Sequence, residues 1–146
     1  MYINKLKYST LFVIFLISSC GGGKEMLEIN LNCDENSNAG NAVVITIYQL
    51  KTDKVFSLSD FKALSKNPEE TLRTDLVKLE EKTMIPGEQL KIESYEIIEG
   101  VIYLGVIADF YSRPPNGWQQ LVPLSEDINS LTINIHENSI SFRLND

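Results

Sequence analysis

Side chains that could do chemistry are few in this chain of 146 residues, which has two cysteines and one histidine. Cys20 ends the stretch Ile17-Ser18-Ser19-Cys20, behind the apolar run Leu11 to Ile17 and ahead of Gly21-Gly22-Gly23. A basic start (Lys5, Lys7), a short hydrophobic run and small residues before a cut are the three parts of a secretory signal peptide. The run is too short to cross a bilayer as a helix. Cys33 lies on the apolar side of the alternation Leu27, Ile29, Leu31, Cys33, so a buried, inert thiol is expected. His136 falls on the polar side of a terminal strand and reads as a solvated structural residue. Asp109, between Ala108 and Phe110, is the one carboxylate in a strongly apolar stretch; a tuned acid or base is possible chemistry there, and the exposed end of a strand is the simpler expectation. No glycine loop for phosphates, Cys/His metal cluster or nucleophile elbow is present. The expectation is a protein that is not an enzyme, with no catalytic or metal-binding residues and no small-molecule substrate.

The context of Cys20 resembles the lipobox of bacterial lipoproteins, in which the thiol is acylated and the chain is cut just before the cysteine. The expected organisation is then a removed leader at 1–19, an acylated Cys20 with a flexible tether at 20–26, and one domain at 27–146. No cofactor is expected beyond the covalent lipid on Cys20. Each buried methylene adds about 0.8 kcal/mol, so several acyl chains hold a protein on the membrane. Gly21 in place of aspartate after the cysteine matches the lipoprotein pattern sorted to the outer membrane. With Lys5 and Lys7 removed, 11 basic residues face 20 acidic ones, a net charge of −9. That charge opposes binding to nucleic acid or, electrostatically, to anionic lipid. Only Cys33 remains besides Cys20, so no intramolecular disulfide forms.

The elements that must carry these residues read as mainly β. Leu27 to Cys33 alternates with period two and predicts a strand. Asp34 to Ala42 is all turn formers and small residues and predicts a loop in which nothing needs burial. Val43 to Leu50 predicts a β-branched strand. A helical insertion follows at about 57–77: Ser57 before Leu58, with Phe56 and Phe61 as a hydrophobic staple, and Asn67-Pro68 with Glu70 as a capping box. Leu72, Leu76 and Leu79 would be the apolar side of its second helix. Further strands are expected at Leu79–Ile85, Gln89–Tyr95, Val101–Phe110 (central, buried on both faces) and Trp118–Leu124. A last hairpin pairs Leu131, Ile133 and Ile135 with Ile140, Phe142 and Leu144. About eight strands suggest a two-sheet antiparallel β-sandwich with a two-helix insertion.

These features in this order resemble the TssJ family, also called SciN or VasD, the outer-membrane lipoproteins of type VI secretion systems. The resemblance rests on the loop Asn36 to Gly40 feeding Val43-Val44-Ile45-Thr46-Ile47-Tyr48-Gln49-Leu50-Lys51, on Phe56, Asp60-Phe61 and Leu64, and on Pro86-Gly87. It continues through Tyr103-Leu104-Gly105-Val106-Ile107-Ala108 with Phe110, and Trp118. Ala42, Thr46 and Gln119 depart from it, standing where proline, arginine and arginine are common. The resemblance implies a transthyretin-like sandwich facing the periplasm from a lipid anchor in the outer membrane. It implies as partner the C-terminal periplasmic domain of a TssM-like inner-membrane protein, with a TssL-like protein as an indirect partner. It also implies a partner-binding loop made of Asp34, Glu35, Asn36, Ser37, Asn38, Ala39, Gly40, Asn41 and Ala42. A hydroxyisourate hydrolase on the same fold would need several histidines, which the single His136 opposes. The remaining alternative is an envelope lipoprotein that binds a carbohydrate or protein ligand on a sandwich surface, with Tyr111 and Trp118 as an aromatic ledge, although core packing is the expected role of Trp118.

Overall fold

Leu27, Ile29, Leu31 and Cys33 project to one side of a strand because side chains alternate, and that apolar row must be covered. The computed structural model describes residues 25–125 and 127–145, so Cys20 and the leader lie outside the described residues. Eight strands are seen among them: β1 (Glu25–Cys33), β2 (Val43–Leu50), β3 (Leu76–Met84), β4 (Gln89–Ile97), β5 (Tyr103–Asp109), β6 (Gln119–Pro123), β7 (Ser130–Ile135) and β8 (Ile140–Asn145). They form two four-stranded sheets, ordered β4-β1-β7-β8 and β3-β2-β5-β6. The facing rows Leu27, Ile29, Leu31 and Ile133 of one sheet and Val43, Ile45, Ile47 and Val106 of the other make the core. This is the expected sandwich.

Three expectations need correction. β1 begins at Glu25, so Glu25 and Met26, read from the sequence as tether, pair with Ile97 and Glu96. The sheets are not wholly antiparallel: β1 runs parallel to β7, with Glu28 opposite Ser130 and Cys33 opposite Ile135. Alternation fixes which face a strand buries, but it is the same read in either direction, so it carries no information on this pairing.

The insertion, third, holds three short helices rather than two: α1 (Lys54–Leu58), α2 (Phe61–Lys66) and α3 (Pro68–Leu72). Ser57 lies inside α1, and the working cap is Asp60, whose carboxylate accepts from the Ala63 N–H at 2.8 Å. Asn67 and Pro68 do start α3, but the Asn67 side chain makes no capping bond. Leu76 and Leu79 belong to β3. Helices of five or six residues are unstable alone; these persist because Phe56, Leu64 and Leu72 bury themselves on Tyr48, Leu50 and Ile107, on the outer face of the β3-β2-β5-β6 sheet. The Tyr48 hydroxyl donates to the Leu64 carbonyl at 3.0 Å and fixes α2 there. Central β5 is therefore covered on both faces, as its apolar sequence requires. At Gly105 an added Cβ would lie 2.5 Å from the Phe56 ring, so glycine makes the room for α1.

The registers also define two ends. Asn32 faces Gln89 and Cys33 faces Ile135, while Val43 faces Met84 and Val44 faces Asp109. The connections β1–β2, β3–β4, β5–β6 and β7–β8 therefore gather at one end of the sandwich. The chain enters β1 at the other, where Glu25 pairs with Ile97.

Candidate functional site

The loop Asp34–Ala42 has a defined shape. Its residues Ser37–Gly40 form a kinked 3-10 turn in which Asn38 and Ala39 take left-handed backbone, at φ 48° and 52°. Asparagine tolerates that conformation; for alanine it costs about 1–2 kcal/mol. The expectation that nothing in the loop needs burial is wrong: Ser37 and Asn38 are buried. Most buried polar side chains have their hydrogen bonds supplied; the Ser37 hydroxyl has no hydrogen-bond partner among the described residues, whereas Asn38 has its own. Its Nδ2 donates to the Ala42 carbonyl at 2.7 Å, and its Oδ1 accepts from the Tyr111 N–H at 2.6 Å. The Asn38 N–H donates to the Glu137 carbonyl at 2.7 Å. One residue thus ties the β1–β2, β5–β6 and β7–β8 connections together.

The other ends of the loop are held as well. The Asp34 N–H donates to the Ile135 carbonyl at 2.9 Å, and the Asp34 carboxylate sits 2.9 Å from Nδ1 of His136. Nε2 of His136 lies 2.9 Å from the Ser141 hydroxyl. His136 is thus partly exposed, as expected, but it is also bound on both nitrogens and bridges two connections. The β3–β4 turn joins from the other side: the Gly87 N–H donates to the Cys33 carbonyl at 3.0 Å and the Cys33 N–H to the Glu88 carbonyl at 2.9 Å. Glu35, Asn36, Ala39, Gly40, Asn41 and Ala42 remain exposed.

The remaining candidates separate. Cys33 is buried, and desolvation pushes its thiol above the ordinary cysteine range, which disfavours the nucleophilic thiolate. Asp109 ends β5 in solvent and pairs with Nη1 of Arg113 at 3.1 Å, the strand-end role. Trp118 turns inward against both hydrophobic clusters, edge-on to Phe61 at 5.4 Å, while Tyr111 stays 86 % exposed. The two do not act as one ledge. No group of three His, Cys, Asp or Glu that could hold a metal occurs among the described residues. Composition predicted a loop here, and the family resemblance is what singled it out as partner-binding; the run Asn36, Asn38, Asn41 held a further hint of its shape, since asparagine tolerates left-handed backbone and hydrogen-bonds neighbouring backbone.

The family described as type VI secretion lipoprotein, VasD, EvfM, TssJ, matches residues 28–138. Among solved structures, the lipoprotein TssJ1 of the type VI secretion system from Pseudomonas aeruginosa shares 26% identity, covering 84% of this chain and 98% of that one, with TM-score 0.78. Lip of Serratia marcescens, described as a membrane-bound component of the same kind of system, shares the fold at 20% identity over 83% of this chain and 97% of that one, with TM-score 0.70. A chain in a structure described as the TssM C-terminal domain from EAEC does so at 24% identity over 80% of this chain and 99% of that one, with TM-score 0.68. No curated protein matches closely enough to carry an argument.

Proposed function

Because the chain belongs to the type VI secretion lipoprotein family, we propose that it is the outer-membrane tether of a secretion membrane complex. Its task is to hold the C-terminal periplasmic domain of a TssM-like inner-membrane protein, which in turn bears on a TssL-like protein. The function is mechanical and non-enzymatic. Residues 1–19 are removed, Cys20 carries the lipid, and the sandwich faces the periplasm.

The observation that carries this reading is the family match over 28–138, nearly the whole domain. Two features of the fold support it. Four residues, 21–24, separate Cys20 from β1, a reach of less than about 20 Å, so the entry end stays close to the anchor. The loop Asp34–Ala42 lies at the opposite end, one length of β1 away, where a partner approaching from the periplasm meets it first. Anchoring one side of a contact raises its effective concentration, so a modest affinity suffices for a lasting joint.

The test has two parts. Labelled palmitate should enter the wild-type chain in cells and fail to enter a Cys20→Ala chain, which should leave the outer-membrane fraction. Calorimetry should show saturable binding of the protein to the TssM-like periplasmic domain from the same genome. Absence of binding at about 100 μM, near 5.5 kcal/mol, by a folded protein would overturn the proposal.

A further inference from the structure

We propose that the partner is gripped by a composite surface rather than by one loop, with Tyr111 as its apolar anchor and a ring of carboxylates selecting a basic face on the TssM-like domain. The inference rests on the tether reading and names the recognition chemistry within it. Tyr111 is 86 % exposed and Ile85 59 % exposed, two of the few large apolar side chains left in water. Both stand at the end where the four connections gather, Ile85 in the β3–β4 turn and Tyr111 directly after β5.

The backbone beneath Tyr111 is clamped, because its N–H is held by the buried Asn38 side chain at 2.6 Å. Asn38 is itself held to Glu137 and Ala42. A tyrosine on a fixed backbone loses little freedom on binding, and tyrosine is among the residues that dominate interface energetics. Among the described residues its ring belongs to neither hydrophobic cluster.

The charge around it has one sign. Asp34, Glu35 and Glu137 are exposed and Glu88 sits partly exposed beside Ile85. Gly87 brings that turn against the loop, within 3.7 Å of Glu35 by the position its Cβ would take. The cation of these connections, Arg113, is engaged: its guanidinium bonds Asp109 at 3.1 Å and lies 3.4 Å over the Phe61 ring. A surface with this charge repels a second copy of itself and anionic lipid headgroups, and attracts lysine- and arginine-bearing protein. The occupant is therefore a basic, locally apolar protein face, here that of the TssM-like periplasmic domain.

The experiment uses the acylated full chain in lipid nanodiscs, titrated with that domain at about 50 and about 300 mM salt, where screening differs about twofold in length. Wild-type affinity should fall several-fold at the higher salt. Tyr111→Ala should weaken binding about tenfold or more, the range of an anchor truncation. The pair Glu35→Lys with Glu137→Lys should weaken it comparably at low salt and remove most of the salt dependence. Melting temperatures of all variants should match wild type, since among the described residues no hydrogen bond of the fold uses the exchanged side chains. Wild-type binding with both variants within about twofold of it would overturn the composite surface and leave the tether standing. No wild-type binding would remove both. Self-association of the chain through this end, lost on Tyr111→Ala, would also overturn it.

Discussion

Gly105→Ala is the sharpest test of how the helical cover sits on the sheet. The new Cβ would lie 2.5 Å from two carbons of the Phe56 ring and 3.0 Å from a Leu50 methyl, where ordinary carbon contacts are about 3.5–4.0 Å. The ring has nowhere to go. It is 1 % exposed, lies 5.4 Å from the Tyr48 ring, and its carbonyl is bonded by Gln119 Nε2 at 2.7 Å. Either the ring leaves, which forfeits about 1.5–3 kcal/mol of burial, or α1 and β5 separate, an overpacking cost of about 1–3 kcal/mol. Both routes give about 2 kcal/mol, a fall in Tm of roughly 5–10 °C for a domain of this size. Urea and thermal melts followed by circular dichroism measure it. Phe56→Leu supplies the control: added to that variant, Gly105→Ala should cost less than half of what it costs in wild type, a coupling expected only of residues in contact. Equal costs in the two backgrounds would refute the claim that the ring is the obstacle.

Other expectations follow from the same contacts. Asn38→Ala removes the partners of the Tyr111 N–H and the Ala42 carbonyl and leaves an alanine in left-handed backbone, so the urea midpoint should drop by the equivalent of about 2–4 kcal/mol. Glu28 is held below its usual 4.5 first by the Asn30 side-chain amide and then by Lys91; its folded value lies below its unfolded one, so its contribution is present above about pH 4.5 and is lost as pH falls through the folded value. Glu28→Gln should therefore be slightly less stable than wild type at pH 7 and converge with it toward pH 2, flattening the acid limb of the stability–pH curve, read by urea melts at each pH. Burial pushes the Tyr48 phenol well above its usual 10 and raises that of Tyr95 as well. Unfolded tyrosine ionises near 10 while these stay neutral, so stability is full below pH 10 and declines as pH rises beyond it; phenolate absorbance should appear late and together with loss of circular dichroism.

Much of the architecture was legible because period-two alternation is a local property. Leu27 to Cys33 and the final hairpin declare their buried faces within seven residues, and the unbroken apolar stretch around Leu104 and Val106 announces a strand covered on both sides. The helices were less legible, because a five-residue helix is decided by what it lands on. Ser57-Leu58-Ser59-Asp60 offers two plausible caps, and only the seating of Phe56 over Gly105 selects Asp60. Leu76 and Leu79 suit a helix spacing as well as a strand, and the partners that decide for β3 are Leu50 and Tyr48, nearly thirty residues upstream. At the end that holds Asp34–Ala42, composition correctly gave a loop, but burial of Asn38 depends on acceptors and donors at Ala42, Glu137 and Tyr111. Two of these are separated from it by more than seventy residues, beyond any local rule.

Under the proposed tether role, the same distant contacts let a small domain serve as a joint. If Asp34–Ala42 were a loose loop, force from a partner would be taken up by extending it. Held by Asn38, His136 and the Gly87–Cys33 bond, the loop would instead pass that load into β1, β5 and β7, and β1 would carry it along its nine residues, about 30 Å, toward Cys20. Residues 21–24 join Cys20 to β1. Inserting about twelve glycine and serine residues there roughly doubles the root-mean-square reach of that segment. Affinity for the partner domain in solution should not change, because the docking end is untouched, whereas secretion in cells should fall as the anchor ceases to fix the sandwich near the membrane. Secretion indifferent to the insertion, in a strain where Cys20→Ala abolishes it, would show that the anchor supplies only location and that the joint bears no load along β1.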